Sequence, residues 1–521
     1  MKLKDIKMLE LKERYKASVL LSAIGDALGW MTEFVRTSQD LEARFGVKRI
    51  ERYYEWEKPV GGRFHGYIDK VNAGDYSDDT QLLLAVARSI KKDGFIDQAH
   101  FSKIEFPQWL LYARGAGRTI KNAARKIQRK SASWNNNFFS FKIKEQLVEY
   151  QDCGANGAAM RILPIVLANH TNWDKIKREV FANSIISHGH PRAILGALVY
   201  AYLIDQFLGV DKTAFNPKEF IVRLGQEFEK NFTLDFMEQD DFKAWHDKWN
   251  ENQDKEFETV YQEVIKETIV YLRVLYKGLE NNEIPFEVLK KLGCLAPQTK
   301  GSGTSTVLGG LYLSLRFFKD PSAGVLEAVN TIGSDTDSVA AFTGGLLGAI
   351  YGTSMIPNEW RGVQDANYLA QVADDLFQIY SGTSNKGIED DFLMGGESID
   401  KIESPKYKKG NRVRFTPLGM GEITDVDFQK PLTKGKYNLI LSVSFESGQT
   451  CIFHALLNGE MPKAEVKSHD EDLFSEIREL SELNLNESLK AKVYHYLGDK
   501  PDERALEIIK GILQESFDVK K

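Results

Sequence analysis

The sequence of 521 residues predicts a mainly α fold: a large all-helical domain, then a small β unit, then C-terminal helices. Two observations lead to this prediction. Apolar residues recur at helical spacing through most of residues 15–380, for example in 81–90 and 341–350. From residue 410 to about 466 the pattern changes to alternation at every second position, which is typical of half-buried strands.

The change of pattern also indicates where domains begin and end. A polar, glycine-bearing stretch follows Ser381 and reads as a linker, which places a boundary near residue 400. We therefore predict an all-α domain at 1–395, a small β-barrel-like domain at 396–466, and a charged helical segment at 467–521.

Two polar stretches interrupt the helical region, at residues 129–149 and 211–255. The second is dense in acidic, basic and aromatic residues. We expect both to be surface insertions, because loops tolerate extra length that a packed core does not.

The composition is that of a soluble globular protein, with 42% hydrophobic and 27% charged residues. No apolar run has membrane length, and the charged N-terminus does not resemble a signal peptide, so we expect a cytoplasmic protein without a membrane partner. The three cysteines have unrelated spacings that fit neither a disulfide framework nor a CxxC metal site. A net charge of −6, without basic stretches interleaved with aromatics, argues against nucleic acid as the partner.

Two acidic turns, Ser77-Asp78-Asp79 and Asp335-Thr336-Asp337-Ser338, each precede an apolar helical run. Helix capping alone explains either turn taken separately. A cap needs only one oxygen acceptor, however, and each turn presents two carboxylates and a hydroxyl. Crowded carboxylates are costly to bury unless they become protonated or bind a metal ion. Oxygen ligands without His or Cys select hard cations, so the sequence predicts a Mg²⁺ site in which Mn²⁺ can substitute.

A further acid, Asp26, lies in an otherwise apolar helical stretch between Gly25 and Gly29. Two interpretations stay open for it: a core acid satisfied by backbone donors, and a direct role in binding substrate. Glu33 follows about two helical turns later, and we expect it to face the site.

Five segments occur in a fixed order: GDALGWMTEF, SDDTQ, GANGAAMRILPI, SHGHPRAILGA and GSDTDSVAA. Together they resemble the ADP-ribosylglycohydrolase family, which includes dinitrogenase-reductase-activating glycohydrolase and the ADP-ribosylarginine and ADP-ribosylserine hydrolases. The resemblance covers residues 15–380. Met31 stands where the family usually has proline, and Ser334 replaces a common glycine. The resemblance implies an orthogonal bundle of helices.

The resemblance also implies an activity and its metal ligands. The family cleaves the glycosidic bond between ADP-ribose and a modified acceptor such as arginine or serine, and so reverses ADP-ribosylation; the partner is then an ADP-ribosylated protein or an ADP-ribose conjugate. Two Mg²⁺ ions are expected, with Asp337 touching both. The positions that match the metal ligands are Ser77, Asp78, Asp79, Asp335, Asp337 and Ser338.

Catalytic roles follow from the same comparison. We expect Asp78 or Asp79 to accept a proton from the attacking water, and Glu33, on a mobile loop, to guard or complete the site. Asp337, which matches the carboxylate that touches both ions, completes the expected catalytic set. Hydrolysis at the anomeric carbon passes through an oxocarbenium-like state.

Glycine-rich turns supply further candidate substrate contacts. Gly115 and Gly117 can bring backbone N–H groups close to a pyrophosphate, although an ordinary helix start explains them equally well. Asn156 and Gly157 match the ribose-side loop of the family, and His188 matches its substrate-proximal histidine. With Asp26 these residues complete the predicted substrate-binding set. Cys153, beside the loop, is expected to be a packed thiol.

Two other functions compete with the enzyme. A non-catalytic ADP-ribose-binding or immunity protein that blocks an ADP-ribosyltransferase toxin would keep the same binding residues. A magnesium phosphohydrolase acting on nucleotides would also use clustered aspartates, but it would not need the loop at 156–161. The β unit resembles SH3-like or Tudor-like barrels, so it either binds a protein partner or packs passively on the helical domain.

Overall fold

The structure is a computed structural model, and it describes residues 3–384 and 396–462. The helices and strands of these residues belong to one compact unit, Met1–Gly459. The predicted charged helical segment at 467–521 lies outside the described residues. The domain boundaries near residues 395 and 466 stay a prediction.

Eighteen α-helices within the described residues confirm the mainly α fold. They are α1 (Leu3–Glu33), α2 (Ser38–Phe45), α3 (Gly62–His65), α4 (Asp78–Arg88), α5 (Gln98–His100), α6 (Phe106–Trp109), α7 (Arg118–Lys126), α8 (Leu163–Asn169), α9 (Trp173–Ile185), α10 (Pro191–Leu208), α11 (Pro217–Asn231), α12 (Asp240–Asn250), α13 (Phe257–Glu280), α14 (Pro285–Lys291), α15 (Gly303–Arg316), α16 (Pro321–Val329), α17 (Thr336–Tyr351) and α18 (Ala366–Tyr380).

The predicted small β unit is present as a five-stranded sheet in sequential order, β5 to β9. Its first pair is parallel and the other three are antiparallel. Gly448, with φ +98°, makes the tight turn between the last two strands. The strands are β5 (Glu397–Ser398), β6 (Arg412–Phe415), β7 (Gly419–Gln429), β8 (Lys436–Phe445) and β9 (Thr450–Asn458).

Two short hairpins interrupt the helical region, and the sequence did not predict them. They pair β1 (Trp56–Val60) with β2 (Tyr67–Val71), and β3 (Ser140–Ile143) with β4 (Gln146–Glu149). Each strand has only four or five residues, which is too short for a clear alternating pattern.

The centre of the core is a glycine-mediated contact between α1 and α17. A Cβ placed on Gly25 would lie 2.2 Å from Ala340 O, and one on Gly29 would lie 2.4 Å from Thr336 O. The contact is reciprocal, because a Cβ on Gly344 would lie 2.1 Å from Leu21 O. These pairings run in opposite directions along the two helices. The end of α1 therefore lies beside the beginning of α17.

The stretch at 211–255 is not the surface excursion that its charge suggested. It forms α11 and α12, and its aromatic residues enter the core against α9 and α13. Trp245 also donates from Nε1 to Tyr150 Oη at 2.9 Å. The expectation was wrong because aromatic residues at helical spacing outweigh a high density of charge. The buried aromatic residues are Phe220, Phe228, Phe232, Phe236, Phe242, Trp245 and Trp249. In the other polar stretch, the hairpin of β3 and β4 is mostly exposed, as expected.

Buried polar contacts fix the β unit to the helical part. Arg88 on α4 donates to both carboxylate oxygens of Glu105, at 2.8 and 2.7 Å, and to Gln449 Oε1 at 2.6 Å. Tyr67 on β2 stacks on His454 of β9 with a centroid distance of 4.1 Å. Glu105 belongs to the helical part and orients Arg88, so the bond from Arg88 to Gln449 and the stacking of Tyr67 on His454 are contacts that join the sheet to the helices.

Among the described residues, no single helix is long and apolar enough to cross a membrane. The one pair that passes this test jointly, Ile6–Glu33 with Ser38–Phe45, is bent by 104°.

The α1–α17 contact predicts the effect of adding a methyl group to it. Gly344→Ala forces the helix backbones apart, so we expect the free energy of unfolding to fall by about 2 kcal/mol or more. Gly225→Ala is the matched control, since a Cβ there meets nothing within 4 Å in the middle of α11; it should raise stability by up to about 1 kcal/mol. Urea denaturation measures both, and a Gly344→Ala protein as stable as the wild type would contradict the packing described.

Candidate active site

The beginnings of three α-helices, α4, α7 and α17, and of the 3₁₀ helix Asn156–Arg161 meet at one cavity of about 210 Å³. Helix N-termini present unpaired N–H groups and favour negative charge. Most of the predicted site residues line this cavity: Glu33, Asp78, Asp79, Gly115, Gly117, Asn156, Gly157, His188, Asp335, Asp337 and Ser338.

In the first acidic turn, the helix cap is made by a hydroxyl and does not use either carboxylate. Ser77 is the N-cap of α4, and its Oγ accepts a hydrogen bond from Asp79 N at 3.3 Å. The carboxylates of Asp78 and Asp79 are therefore not needed for the cap. Asp79 Oδ2 accepts from Ser338 Oγ at 2.8 Å, which joins the first turn to the second.

In the second turn, Asp335 occupies the N-cap position of α17 but its side chain makes no capping hydrogen bond. It accepts instead from Asn156 Nδ2 at 3.1 Å. Asp337 Oδ1 accepts from Ser338 N at 2.8 Å. The surplus of carboxylate oxygen that the sequence indicated is thus present in both turns, which face the same cavity.

Glu33, at the end of α1, completes the acidic cluster. Carboxylate oxygens of Glu33, Asp335 and Asp337 all lie within 4.8 Å of one another. Glu33 belongs to the last turn of α1 and not to a mobile loop, so that expectation was wrong. Its Oε2 is buried and has no hydrogen-bond partner among the described residues. A buried, unpartnered carboxylate oxygen is costly, so this atom fits a position next to a cation or a ligand hydroxyl.

Burial and mutual repulsion raise the pKa values of these acids. Burial, followed by the charge of Asp337, raises the pKa of Asp78 to about 8 and the pKa values of Glu33 and Asp79 well above their ordinary range. Burial and then Asp335 do the same to the pKa of Asp337. Within the described residues none of these four acids forms an ion pair. Oxygen donors with an excess of negative charge fit a hard divalent cation.

One basic side chain that acts on several of these acids is Lys58 on β1, which the sequence did not single out. Its Nζ lies 3.9 Å from the ring centroid of Phe34 and 5.1 Å from that of Trp30. Burial lowers the pKa of Lys58, and Glu33, Asp78 and Asp337 act in the opposite direction. The hairpin that carries Lys58 has no motif, so no sequence signal pointed to it. Gly301 also lines the cavity without such a signal.

Asp26 lies behind the first acidic turn. Its buried carboxylate accepts from Ser77 N at 3.1 Å, from Thr80 N at 3.0 Å and from Thr80 Oγ1 at 2.5 Å. Burial, and then the charge of Asp337, raises the pKa of Asp26 to about 6. This is the geometry of a core acid satisfied by donors, the first of the two interpretations. Neither Asp26 nor Ser77 is among the residues that line the cavity.

The ribose-side loop is fixed from two sides. Asn156 N donates to Gly301 O at 2.9 Å, and buried Arg161 donates from Nη1 to Gly157 O at 2.8 Å. A Cβ on Gly157 would lie 2.9 Å from His188 Cε1, so glycine permits the close approach of the histidine. His188 bonds through Nδ1 to Ser187 Oγ at 2.8 Å, and its buried Nε2 has no hydrogen-bond partner in the part of the chain that the structure describes.

The two glycines before α7 differ in whether a side chain could replace their hydrogen. Gly115 has φ +91°, and a Cβ there would lie 2.8 Å from Asp78 Oδ1, so both conformation and space require glycine. Gly117 is the N-cap of α7, and a Cβ there would meet nothing within 4 Å. The N-terminus of α7 is therefore open to the cavity. Nearby Cys153 is buried, and burial raises the pKa of its thiol to about 12, which confirms the packed thiol.

A sequence model of the ADP-ribosylglycohydrolase family matches residues 8–386. The chain belongs to this family. This membership confirms the resemblance found in the sequence, and with it the prediction of a glycosyl hydrolase enzyme.

Relatives with assigned names agree with the family match. The chain is 26% identical over 366 residues to ADP-ribosylhydrolase ARH3 of Danio rerio, covering 63% of this chain and 90% of the relative. It is 28% identical over 199 residues to ADP-ribosyl-[dinitrogen reductase] glycohydrolase of Rhodospirillum rubrum, covering 38% and 58%. It is 22% identical over 383 residues to ADP-ribosylarginine hydrolase Tri1 of Serratia proteamaculans, covering 70% and 79%.

A solved structure titled ADP-ribosylglycohydrolase-related protein complex also aligns with the chain. The TM-score is 0.44 at 20% identity, covering 72% of this chain and 99% of the other.

The burial of His188 predicts a pH dependence of stability. Burial, and secondarily Arg161, lowers the pKa of His188 from 6.5 to about 3. Between these values the unfolded chain takes up a proton that the folded chain does not. The stabilising contribution of the neutral His188 is therefore complete well above pH 6.5 and is lost as the pH falls toward 3, by about 2 kcal/mol at about pH 5. Urea denaturation of the wild type and of His188→Asn should show a shallower acid-side loss of stability in the variant; identical slopes would contradict it.

Proposed function

We propose that this chain is a Mg²⁺-dependent hydrolase that releases ADP-ribose from a modified protein side chain, such as arginine or serine. The observation that carries the proposal is the cluster of five buried or half-buried carboxylates on one cavity, without an ion-pair partner for Glu33, Asp78, Asp79 or Asp337 among the described residues. The family match and the names of the relatives support an ADP-ribosylated substrate.

The donor set fits a pair of Mg²⁺ ions, with Mn²⁺ as a substitute. The residues that would hold them and that line the cavity are Asp78, Asp79, Asp335, Asp337 and Ser338. Ser77, the sixth expected ligand, caps α4 beside them and would join the set only by turning its hydroxyl from the cap to the ion. When bound, such ions supply positive charge that orients ribose hydroxyls and lowers the pKa of a nearby water.

The side chains have separate roles in this proposal. The carboxylate of Asp78 or Asp79 accepts the proton of the attacking water as the glycosidic bond breaks. Glu33 closes the acidic cluster next to Asp337. Asn156, Gly157 and the neutral imidazole of His188 bind the ribose side.

The phosphate side of the substrate needs donors rather than acids. The open N-terminus of α7, at Gly115 and Gly117, offers backbone N–H groups for the pyrophosphate. The positive end of the helix dipole adds to this preference. Asp26 holds the first acidic turn from behind in this arrangement.

The competing functions are less well supported. A non-catalytic ADP-ribose-binding or immunity protein would not need the full set of crowded acids, whose burial costs stability. A nucleotide phosphohydrolase would leave the ribose-side loop and His188 without a purpose. A protein partner for the β unit stays a prediction.

One experiment separates the three functions. The protein is incubated with ADP-ribosylarginine, ADP-ribosylserine and free nucleotides, with and without Mg²⁺, and mass spectrometry follows the products. We expect Mg²⁺-dependent release of ADP-ribose from at least one conjugate. Release of phosphate from free nucleotides alone would support the phosphohydrolase, and binding without any release would support the non-catalytic protein.

Removing the central carboxylate tests the metal site. Asp337→Asn keeps the shape of the side chain but removes its charge, so we expect loss of Mg²⁺ binding by calorimetry and a loss of turnover of about a hundredfold or more. Asp254→Asn, at an exposed position, is the matched control and should keep both. Retained hydrolysis with normal Mg²⁺ dependence in Asp337→Asn would overturn the proposed metal site.

A further inference from the structure

Helix α7 connects the candidate active site to a second, larger groove. Arg118 and Thr119, in its first turn, line the cavity of the acidic cluster. Asn122, Arg125 and Lys126, in the rest of the helix, line a groove of about 690 Å³ on the protein surface. The first turn of α7 thus lines the cavity, and the later turns of the same helix line the groove.

The exposed face of α7 is basic along its whole length. Two more basic residues lie beside this face, Arg129 shortly after the helix and Lys248 on α12. We call the whole set the basic track: Arg118, Lys121, Arg125, Lys126, Arg129 and Lys248. Arg118, Lys121 and Arg125 are three and four residues apart, which places them on one side of the helix. None of the six makes an ion pair within the described residues.

The charges of the track act on one another and on the acidic cluster. Burial lowers the pKa of Lys121, Asp78 acts in the opposite direction, and Arg125 and Arg118 lower it further. Burial also lowers the pKa of Lys126, with Arg129 and Lys248 adding to the effect. The basic side chains of the track are therefore close enough to repel one another, and the track begins beside the acidic cluster, where Arg118 lines the cavity. It is a local excess, because the whole chain has a net charge of −6.

We propose that the basic track is a docking surface for an acidic segment of the ADP-ribosylated protein whose modified side chain lies in the cavity. The proposal rests on the proposed function and adds a substrate preference to it. Because crowded like charges disfavour one another, an anionic segment on the track relieves their repulsion. Arg118 and Arg125 are about 10 Å apart along the helix, a distance that about three residues of extended polypeptide cover.

The groove fits a polypeptide better than a nucleic-acid strand. Single-stranded nucleic acid needs free aromatic faces for its bases. Phe138 packs on Tyr150 with a centroid distance of 4.5 Å, and Lys248 Nζ lies 5.2 Å from its ring on the groove side. Phe139 likewise packs on Tyr150, at 5.8 Å. The rings therefore already have partners.

Other groups on the groove wall match a peptide backbone. Asn122, Gln151 and Gln253 line the groove with side-chain amides. Asn122 Nδ2 donates to Arg118 O at 2.9 Å and Gln151 Nε2 to Trp249 O at 3.3 Å, and each amide nitrogen has a second N–H that can donate to a peptide carbonyl. Two carboxylates, Glu149 and Glu251, also line the groove and would repel a continuous run of phosphates more than a segment with spaced acidic residues. The wall is thus basic overall but mixed in its polar groups.

The test compares two peptides that carry the same ADP-ribosylated residue, one flanked by glutamates and the other by glutamines. The double variant Arg125→Gln/Arg129→Gln removes two exposed charges outside the cavity. For the wild type we expect a KM about fivefold lower for the glutamate peptide, and an advantage that disappears at high salt. The double variant should lose this advantage and keep the wild-type kcat.

Controls separate the proposal from the proposed function. Lys218→Gln/Lys230→Gln removes the same charge from the exposed face of α11 and should keep the preference, and Arg125→Lys/Arg129→Lys should restore it. A free ADP-ribosylated amino acid should be hydrolysed equally by all variants; if no variant hydrolyses it, the proposed function fails rather than the track.

Three outcomes would overturn the docking surface. Equal KM values of the wild type for the two peptides would do so without any variant. An unchanged preference in Arg125→Gln/Arg129→Gln would show that other residues cause it. Inhibition by an oligodeoxythymidylate but not by polyglutamate would assign the track to nucleic acid.

Discussion

The site depends on how closely α1 can approach α17. Glycines on both helices allow backbone atoms to meet where any side chain would intervene, as at Gly25 opposite Ala340 and Gly344 opposite Leu21. The approach is made at several successive turns, so it fixes the axial register as well as the distance. Glu33 and the second acidic turn meet as a result, although about 300 residues separate them in sequence. The hydrogen bond from Thr336 Oγ1 to Gly29 O, at 2.9 Å, holds the same register, and Thr32 Oγ1 donates to Val329 O at the end of α16, at 2.6 Å.

The carboxylates themselves oppose this arrangement. Burial disfavours their charged forms, and each raises the pKa of its neighbours. Their grouping is therefore maintained by the apolar core and by supporting donors such as Thr80 and Asn156, not by attraction among them. Functional sites commonly sacrifice local stability in this way. Asp26 adds to this support, because it accepts hydrogen bonds from Ser77 N and Thr80 N and so holds the turn that carries Asp78 and Asp79.

The features that the sequence predicted well are local ones. Helical spacing, the helix cap in the first acidic turn and the alternation in the β unit each depend on residues within a few positions of one another. Five ordered motifs also identified the family and most of the cavity wall. Side chains brought in by distant segments had no such signal: Lys58 comes from a short hairpin and Gly301 from a turn before α15. The aromatic core of α11 and α12 was missed because its partners, such as Tyr150 and Phe181, lie far away in sequence.

The register between α1 and α17 also determines where the chain tolerates changes of length. One residue inserted into α1 between Gly29 and Glu33 would rotate Glu33 by about 100° around the helix axis and direct it away from Asp335 and Asp337. The hairpin of β3 and β4, by contrast, projects from the surface and can lengthen without moving any acid of the cluster. New specificity can therefore arise in such peripheral segments, whereas the spacing within α1 has to stay constant for the acidic cluster to form.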